Sequence, residues 1–294
     1  MAVSKVGVVG GGIMGHGITQ ICAQAGWDVV MREVDDDKVA GCIGKIDKQL
    51  SRAVERGRME GDEADAVRGR IDGTTDYGKL ADCDLVIEAI TEDLGMKLEM
   101  WAAVDPIVKD EAYFATNTSS LAVIDQAATT SRPDRFLGLH FFNPAQVMPL
   151  LEVVQTVTTS EGALEVGYAV GERLGKTMVH AKDKTGFIVN RLLVPYMLDA
   201  IRAYEEGVGS IEEVDVAMKA GANHPMGPLT LADFVGLDTL ASIGAVMFDE
   251  YRERRFAAPP TLRKMVSAGW YGRKSGKGFY DYSGEKPVPT ELGL

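Results

Sequence analysis

Apolar residues fall into two regimes along this chain. In the first, short apolar runs rich in Val, Ile and Phe recur at "KVGVVG", "WDVVMRE", "DLVIEAI", "AYFATNTS", "DRFLGLHFF", "LLEVVQTV" and "KTMVHAK". Stretches such as "LGMKLEMWAAVDPIV" separate some of them and carry apolar residues at helical intervals. The alternation predicts a doubly wound α/β domain, an open and largely parallel sheet with helices on both faces. After "AKDKTG" strand signals stop. Three long helical patterns follow, "FIVNRLLVPYMLDAIRAYEEG", "SIEEVDVAMKAG" and "GPLTLADFVGLDTLASIGAVMFDEY", which predict an all-α second domain. The expected division is 1–184, 185–284 and a poorly ordered tail, 285–294. Pro195 is expected to bend the first of the three helices. Leu192, Leu193, Met197, Ile201, Leu231, Phe234, Leu237 and Leu240 exceed what a small bundle needs, so a partner surface is expected there.

Between the second and third of the runs lies "DDDKVAGCIGKIDKQLSRAVERGRMEGDEADAVRGRI", charged, helix-prone and longer than an ordinary crossover. It reads as a helical hairpin inserted into the first domain and standing off the sheet. Arg52, Arg56 and Arg58 gather in it. In a chain of 294 residues with net charge −12, such a cluster is either a solvated helical face or a handle for a phosphorylated ligand. The overall charge argues against nucleic acid as a partner, and no apolar run approaches the ~20 residues of a membrane helix. The three cysteines have no CxxC spacing, so neither a disulfide framework nor a metal site is expected. The opening "MAVSKVGVVGGG" lacks the pattern of a signal peptide, and a cytoplasmic location is expected.

That opening carries chemistry. "KVGVVGGGIMGHGITQICAQAGWDVVMREVD" runs strand, tight turn, helix, strand, with Gly10, Gly12 and Gly15 in a G-x-G-x-x-G pattern around Ile13 and Met14. The first glycine makes the turn, the second lets a pyrophosphate approach the backbone, and the third lets helix and strand pack closely. Glu33 ends the second strand, where a carboxylate accepts hydrogen bonds from the adenosine ribose. This Rossmann-type arrangement points to NAD as cofactor; Arg32 beside Glu33 leaves NADP open.

Ligands of such sheets sit beyond the carboxyl ends of the strands. The polar residues there are Glu92 and Lys97; Asn117, Ser119 and Ser120; and His140 and Asn143. Ser120 also reads as a cap for the helix that follows. "GLHFFNPAQVMPLLEVV" places His140 and Glu152 among Leu, Phe, Met and Val, where an unpartnered polar group costs roughly 2–7 kcal/mol. Each is therefore expected to be the other's partner, as a structural pair or as a proton-transfer pair.

The motifs "NTSSL", "GLHFFNP", "LLEVV", "TGFIVNRLLVPY" and "GANHPMGPLTLADFVGLD", in that order, make the chain resemble the short-chain 3-hydroxyacyl-CoA dehydrogenase family, within it the bacterial 3-hydroxybutyryl-CoA dehydrogenases. The resemblance runs from "KVGVVGGGIMGHGI" to "GRKSGKGFYDYS". It implies NAD-linked interconversion of 3-hydroxyacyl-CoA and 3-oxoacyl-CoA, with His140 as acid–base, Glu152 as its partner, and Ser119 and Asn190 on the reacting oxygen and thioester carbonyl. It further implies nicotinamide-side contacts from Glu92, Lys97, Ser119, Asn143 and Lys274. The coenzyme A phosphates would meet Arg52 and Arg56, where relatives often have Lys, and a homodimer would form through the second domain, with the site in the cleft between domains. The residues leave rivals standing: a sugar-acid dehydrogenase on the same scaffold, or a nucleotide-binding protein without the chemistry. A free β-hydroxyacid dehydrogenase fits less well, because no Lys follows Asn190 until Lys219.

Overall fold

The glycine-rich opening forms a strand, a tight loop and a helix in the computed structural model, which describes residues 3–292. The chain divides into two units, Met1–Phe187 and Ile188–Leu294.

The first unit runs β1 (Lys5–Val9), α1 (Gly15–Gln24), β2 (Asp28–Arg32), α2 (Asp36–Glu55), α3 (Gly61–Gly69), β3 (Ile71–Thr74), β4 (Leu85–Glu88), α4 (Leu94–Val104), β5 (Tyr113–Thr116), α5 (Val123–Ala127), β6 (Phe136–Phe141), β7 (Leu150–Gln155), α6 (Glu161–Arg173) and β8 (Thr177–Lys182). Its strands form one sheet in the order β3-β2-β1-β4-β5-β6-β7-β8. Neighbours are parallel except β6 and β7, which are antiparallel. The reversal follows from chain length. A parallel return needs a crossover of a dozen or more residues, and the 142–149 segment is too short for one. Two apolar clusters cover the faces of the sheet, one built around Ile18, Cys22 and Leu139, the other around Trp101, Phe114 and Phe136.

Three expectations for this unit change. β3 is a strand beyond those expected, an edge strand whose one buried position is Ile71, so it shows no periodicity. The inserted helices do not stand off the sheet. Cys42, Ile46 and Leu50 of α2 are buried in the same cluster as Ile18 and Cys22 of α1 and Val29 of β2. Ser120 does not cap α5: that helix has no cap from its own leading residues, and the distant Asp183 carboxylate accepts from Val123 N (3.0 Å) and Ile124 N (2.8 Å) instead.

The second unit comprises α7 (Val189–Glu205), α8 (Ile211–Gly221), α9 (Pro228–Val235), α10 (Leu237–Tyr251), α11 (Pro260–Ser267), and a short antiparallel pair, β9 (Tyr280–Asp281) and β10 (Val288–Pro289). Pro195 lies inside α7. The pattern expected to be one helix breaks into α9 and α10, bent by 93°, at Gly236, whose φ of 101° is in the left-handed region that favours glycine. α11 is a further helix beyond the three patterns expected. The expected loose tail is bound as far as residue 292: β10 pairs with β9, Thr290 is buried, and Leu292 packs on the core. Gly293 and Leu294 lie outside the described residues. Of the apolar residues expected to face a partner, Met197, Ile201, Leu237 and Leu240 fill this unit's own core, whereas Leu192 and Phe234 are 66% and 53% exposed. Among the described residues no single helix is long and apolar enough to cross a membrane.

The core of this unit includes a buried carboxylate with a measurable signature. Asp233 Oδ1 accepts from Phe279 N (2.9 Å), and Oδ2 from Tyr280 N (2.9 Å) and the Tyr282 hydroxyl (3.0 Å). Burial pushes its carboxyl up from 3.8 to about 6, against the pull of these donors. The folded state therefore holds the proton more tightly than the unfolded one. The stability Asp233 contributes is complete below pH 4 and is lost as pH rises through about 6, by up to about 3 kcal/mol. Thermal midpoints of wild type and Asp233→Asn between pH 4.5 and 7 should converge as pH rises; parallel curves would assign the titration elsewhere.

Candidate active site

The loop between β1 and α1 is shaped by its glycines. Gly10 has φ +99°, and a Cβ there would lie 2.7 Å from the Ala89 carbonyl oxygen. A Cβ on Gly15 would fall 1.7 Å from the Gly10 carbonyl oxygen, so α1 crosses the loop at a distance only glycine allows. Gly12 differs: a Cβ there would meet nothing within 4 Å, and Gly12 and Ile13 are exposed while Met14 is half-buried. Met14, the residue before α1, gives the helix no capping side chain. A helix start without a side-chain cap, preceded by a glycine with open space around it, fits the cradle of a pyrophosphate. Glu33 lies beside this loop, Oε1 accepting from Gly11 N at 2.8 Å and Oε2 from Val34 N at 2.9 Å. The Arg32 guanidinium stacks 3.8 Å over the Tyr77 ring and donates from Nε to the Thr75 carbonyl at 3.2 Å.

Across the same edge of the sheet, β4 continues the register of β1, with Glu88 beside Val9. Glu88 is fully buried. Its Oε1 accepts from Lys97 Nζ at 2.5 Å and from Ile90 N at 2.7 Å, and Oε2 from the Thr116 hydroxyl at 2.5 Å. Lys97, 1% exposed, also faces Glu92 Oε2 at 3.4 Å. Glu92 Oε1 in turn accepts from the Thr118 hydroxyl (2.6 Å), Ser119 N (2.8 Å) and the Ser119 hydroxyl (3.2 Å), and from Ser120 N and hydroxyl. Burial opposes the charge on Glu92, but the Lys97 ammonium and these donors prevail and hold its carboxyl below the ordinary range. One network thus joins Glu92, Lys97 and Ser119. Glu88 and Thr116 belong to it and were missed in the sequence, although a carboxylate inside "DLVIEAI" raises the same burial problem as Glu152.

His140 and Glu152 stand directly opposite each other on antiparallel β6 and β7, so their side chains share a face. His140 Nδ1 is 2.6 Å from Glu152 Oε2, with His140 5% and Glu152 0% exposed. The rings of Phe142 and Phe187 flank the imidazole at 4.5 and 5.5 Å. The carboxylate fixes Nδ1 as the protonated nitrogen, which turns Nε2 into the acceptor. Asn117, at the end of β5, braces this strand end by accepting from Phe141 N at 2.9 Å.

Other expected residues lie elsewhere. Asn143 is exposed in the loop after β6. Arg52 and Arg56 are exposed at the end of α2, as is Arg58 beyond it. Asn190 is half-buried on α7 of the second unit. Lys274 is also in that unit, 2.6 Å from Asp238 Oδ1. A second polar chain was not foreseen. His16 Nδ1 donates to Gly12 O at 2.7 Å and its Nε2 meets Gln49 at 3.1 Å, and Gln49 accepts from Gln146 at 2.7 Å, so α1, α2 and the loop after β6 are tied together. Among the described residues no cluster suited to a metal ion occurs.

Comparison with known proteins gives concordant matches. The family model described as 3-hydroxyacyl-CoA dehydrogenase, NAD binding domain, matches residues 5–184, and the C-terminal domain model of the same enzyme matches residues 186–282. A 3-hydroxybutyryl-CoA dehydrogenase of Mycobacterium tuberculosis is 47% identical over 96% of this chain and 99% of its own length. Among solved structures, FadB2 of M. tuberculosis superposes with a TM-score of 0.94 at 46% identity, covering 96% of this chain and 100% of that one. The (S)-3-hydroxybutyryl-CoA dehydrogenase PaaH1 of Ralstonia eutropha superposes with 0.93 at 40% identity and the same coverage.

Proposed function

The chain belongs to the 3-hydroxyacyl-CoA dehydrogenase family, and from that premise we propose that it interconverts a short-chain (S)-3-hydroxyacyl-CoA, 3-hydroxybutyryl-CoA foremost, with the 3-oxoacyl-CoA, using NAD. The observation that carries this reading is the buried His140–Glu152 pair on the sheet that also bears the glycine loop.

NAD, when bound, supplies the acceptor for the hydride that leaves the substrate's third carbon. The protein supplies the proton path. In the oxidative direction His140 Nε2 takes the hydroxyl proton as the carbon–oxygen double bond forms, and Glu152 on Nδ1 stabilises the resulting imidazolium. In reduction the proton returns by the same route. Ser119, anchored through Glu92, and Asn190 are assigned to the reacting oxygen and the thioester carbonyl, where hydrogen bonds count most while charge changes. Gly10, Gly12, Ile13, Met14, Gly15 and Glu33 hold the dinucleotide; Glu92 and Lys97, with Asn143 and Lys274, complete the cofactor contacts. Arg52 and Arg56 are assigned to the coenzyme A phosphates on their exposure and charge within an acidic protein. A homodimer through Ile188–Leu294, supported by exposed Leu192 and Phe234, and a cytoplasmic location belong to the same proposal.

A spectrophotometric assay tests it. NADH should be consumed with acetoacetyl-CoA, and the rate should fall as the acyl chain lengthens. NADPH should be at least about tenfold poorer, because its ribose phosphate would meet the Glu33 carboxylate and Arg32 is already occupied by Tyr77 and Thr75. No consumption with any 3-oxoacyl-CoA would leave only a nucleotide-binding scaffold.

A further inference from the structure

The buried group that the mechanism does not use is Glu88. Its position follows from topology. β1 carries the glycine loop, β2 on one side carries Glu33, and β4 on the other side carries Glu88. The strand order reverses between β1 and β4, the switch point at which such sheets take their ligands. A dinucleotide with its ribose at Glu33 therefore extends over β1 toward β4 and β5, where Glu88, Lys97 and Glu92 lie. Glu88 only accepts hydrogen bonds, from Lys97, Ile90 N and the Thr116 hydroxyl, and Glu92 only accepts, from Thr118, Ser119 and Ser120. Two carboxylates and one ammonium leave a net charge of minus one beneath the nicotinamide half. The Glu88 and Lys97 side chains are 0% and 1% exposed and that of Glu92 is 37% exposed, so dissolved salt screens the charge on Glu88 weakly.

Oxidised nicotinamide carries a positive charge and the reduced ring does not. Resting on the NAD-linked reading above, we propose that Glu88 is a positioning residue, touching neither substrate nor cofactor, that fixes the Lys97 ammonium against Glu92 and whose charge favours bound NAD+ over bound NADH. It would make the oxidised cofactor the better held of the pair relative to a site with a neutral triad. By linkage, any change in the ratio of the two affinities equals a shift in the potential of the bound couple.

Glu88→Gln is the discriminating variant. The amide keeps the shape, its oxygen still accepts from Lys97 and Ile90 N, and its NH2 donates to the Thr116 hydroxyl, while the net charge goes to zero. NAD+ and NADH affinities are titrated separately by calorimetry, without substrate, on protein whose thermal midpoint is checked. The expected result is that NAD+ weakens relative to NADH by about tenfold, equivalent to about 30 mV for this two-electron couple. A merely structural role would weaken both by one factor, and that result overturns the inference while the proposed function stands. Wild type that binds neither dinucleotide overturns the NAD-linked reading and this inference with it. If Glu88→Gln does not fold, the same titration on Glu92→Gln decides: a relative loss of NAD+ supports the charge argument, and an unmoved ratio overturns it.

Discussion

Replacing His140 with Gln is expected to lower turnover with acetoacetyl-CoA by roughly 100- to 10,000-fold, the span typical of a lost acid–base group, with NADH affinity little changed. Gln matches the imidazole in polarity and can still donate toward Glu152, so the buried carboxylate keeps a partner and the large penalty of an uncompensated charge is avoided. The amide has no proton to exchange near neutral pH. The measurement is kcat from NADH absorbance together with an independent titration of NADH binding. Turnover within a few-fold of wild type would remove His140 from the role. Loss of NADH binding would show that the substitution had disturbed the sheet edge instead. Glu152→Ala makes the complementary point. It leaves the His140 Nδ1–H without its acceptor in a buried site, so it should lower stability by about 1–3 kcal/mol as well as activity.

How much of this was legible in the sequence depends on the distance over which each feature is decided. β1, the glycine loop, α1 and β2 are contiguous, and their order alone specified the cradle. The His140–Glu152 contact spans only a short loop, and the cost of burying either residue alone demanded a partner; the antiparallel register of β6 and β7 then puts them opposite each other. The same cost argument applies to Glu88, but its partners, Lys97 and Thr116, come from a helix and from the next strand, and nothing local marks them. Ser120 reads as a cap for a related reason. A cap is a local device, and here the amides of α5 are taken by Asp183, which arrives from beyond β8. β3 escaped because an edge strand with a single buried residue has no period to detect. The break between α9 and α10 was hidden because apolar spacing continues through it; only the glycine in "FVGLD" signalled a residue able to adopt positive φ.

The two glycines of the cradle should fail in opposite ways. At Gly15 the added Cβ would overlap the Gly10 carbonyl oxygen at 1.7 Å. Backbone is the obstacle, so no side chain can swing aside. α1 must shift away from β1, breaking its packing of Ile18 and Cys22 against the sheet core. Gly15→Ala is therefore expected to destabilise the first unit by several kcal/mol, about the 1–3 of an overpacked core or more, and to be recovered poorly or with a lowered thermal midpoint. At Gly12 no protein atom opposes a Cβ within 4 Å, and Gly12 is absent from the positive-φ positions. Gly12→Ala should fold with a midpoint near that of wild type, yet its methyl group would occupy the space in which a pyrophosphate approaches the first amides of α1. Dinucleotide affinity should fall by roughly 100-fold, about 3 kcal/mol of lost contact and steric overlap. Thermal melts and NADH titrations of the two variants separate these outcomes. A Gly12→Ala protein that binds NADH as tightly as wild type would mean that the phosphates lie elsewhere on the sheet edge, and the placement of nicotinamide near His140 would lose its support.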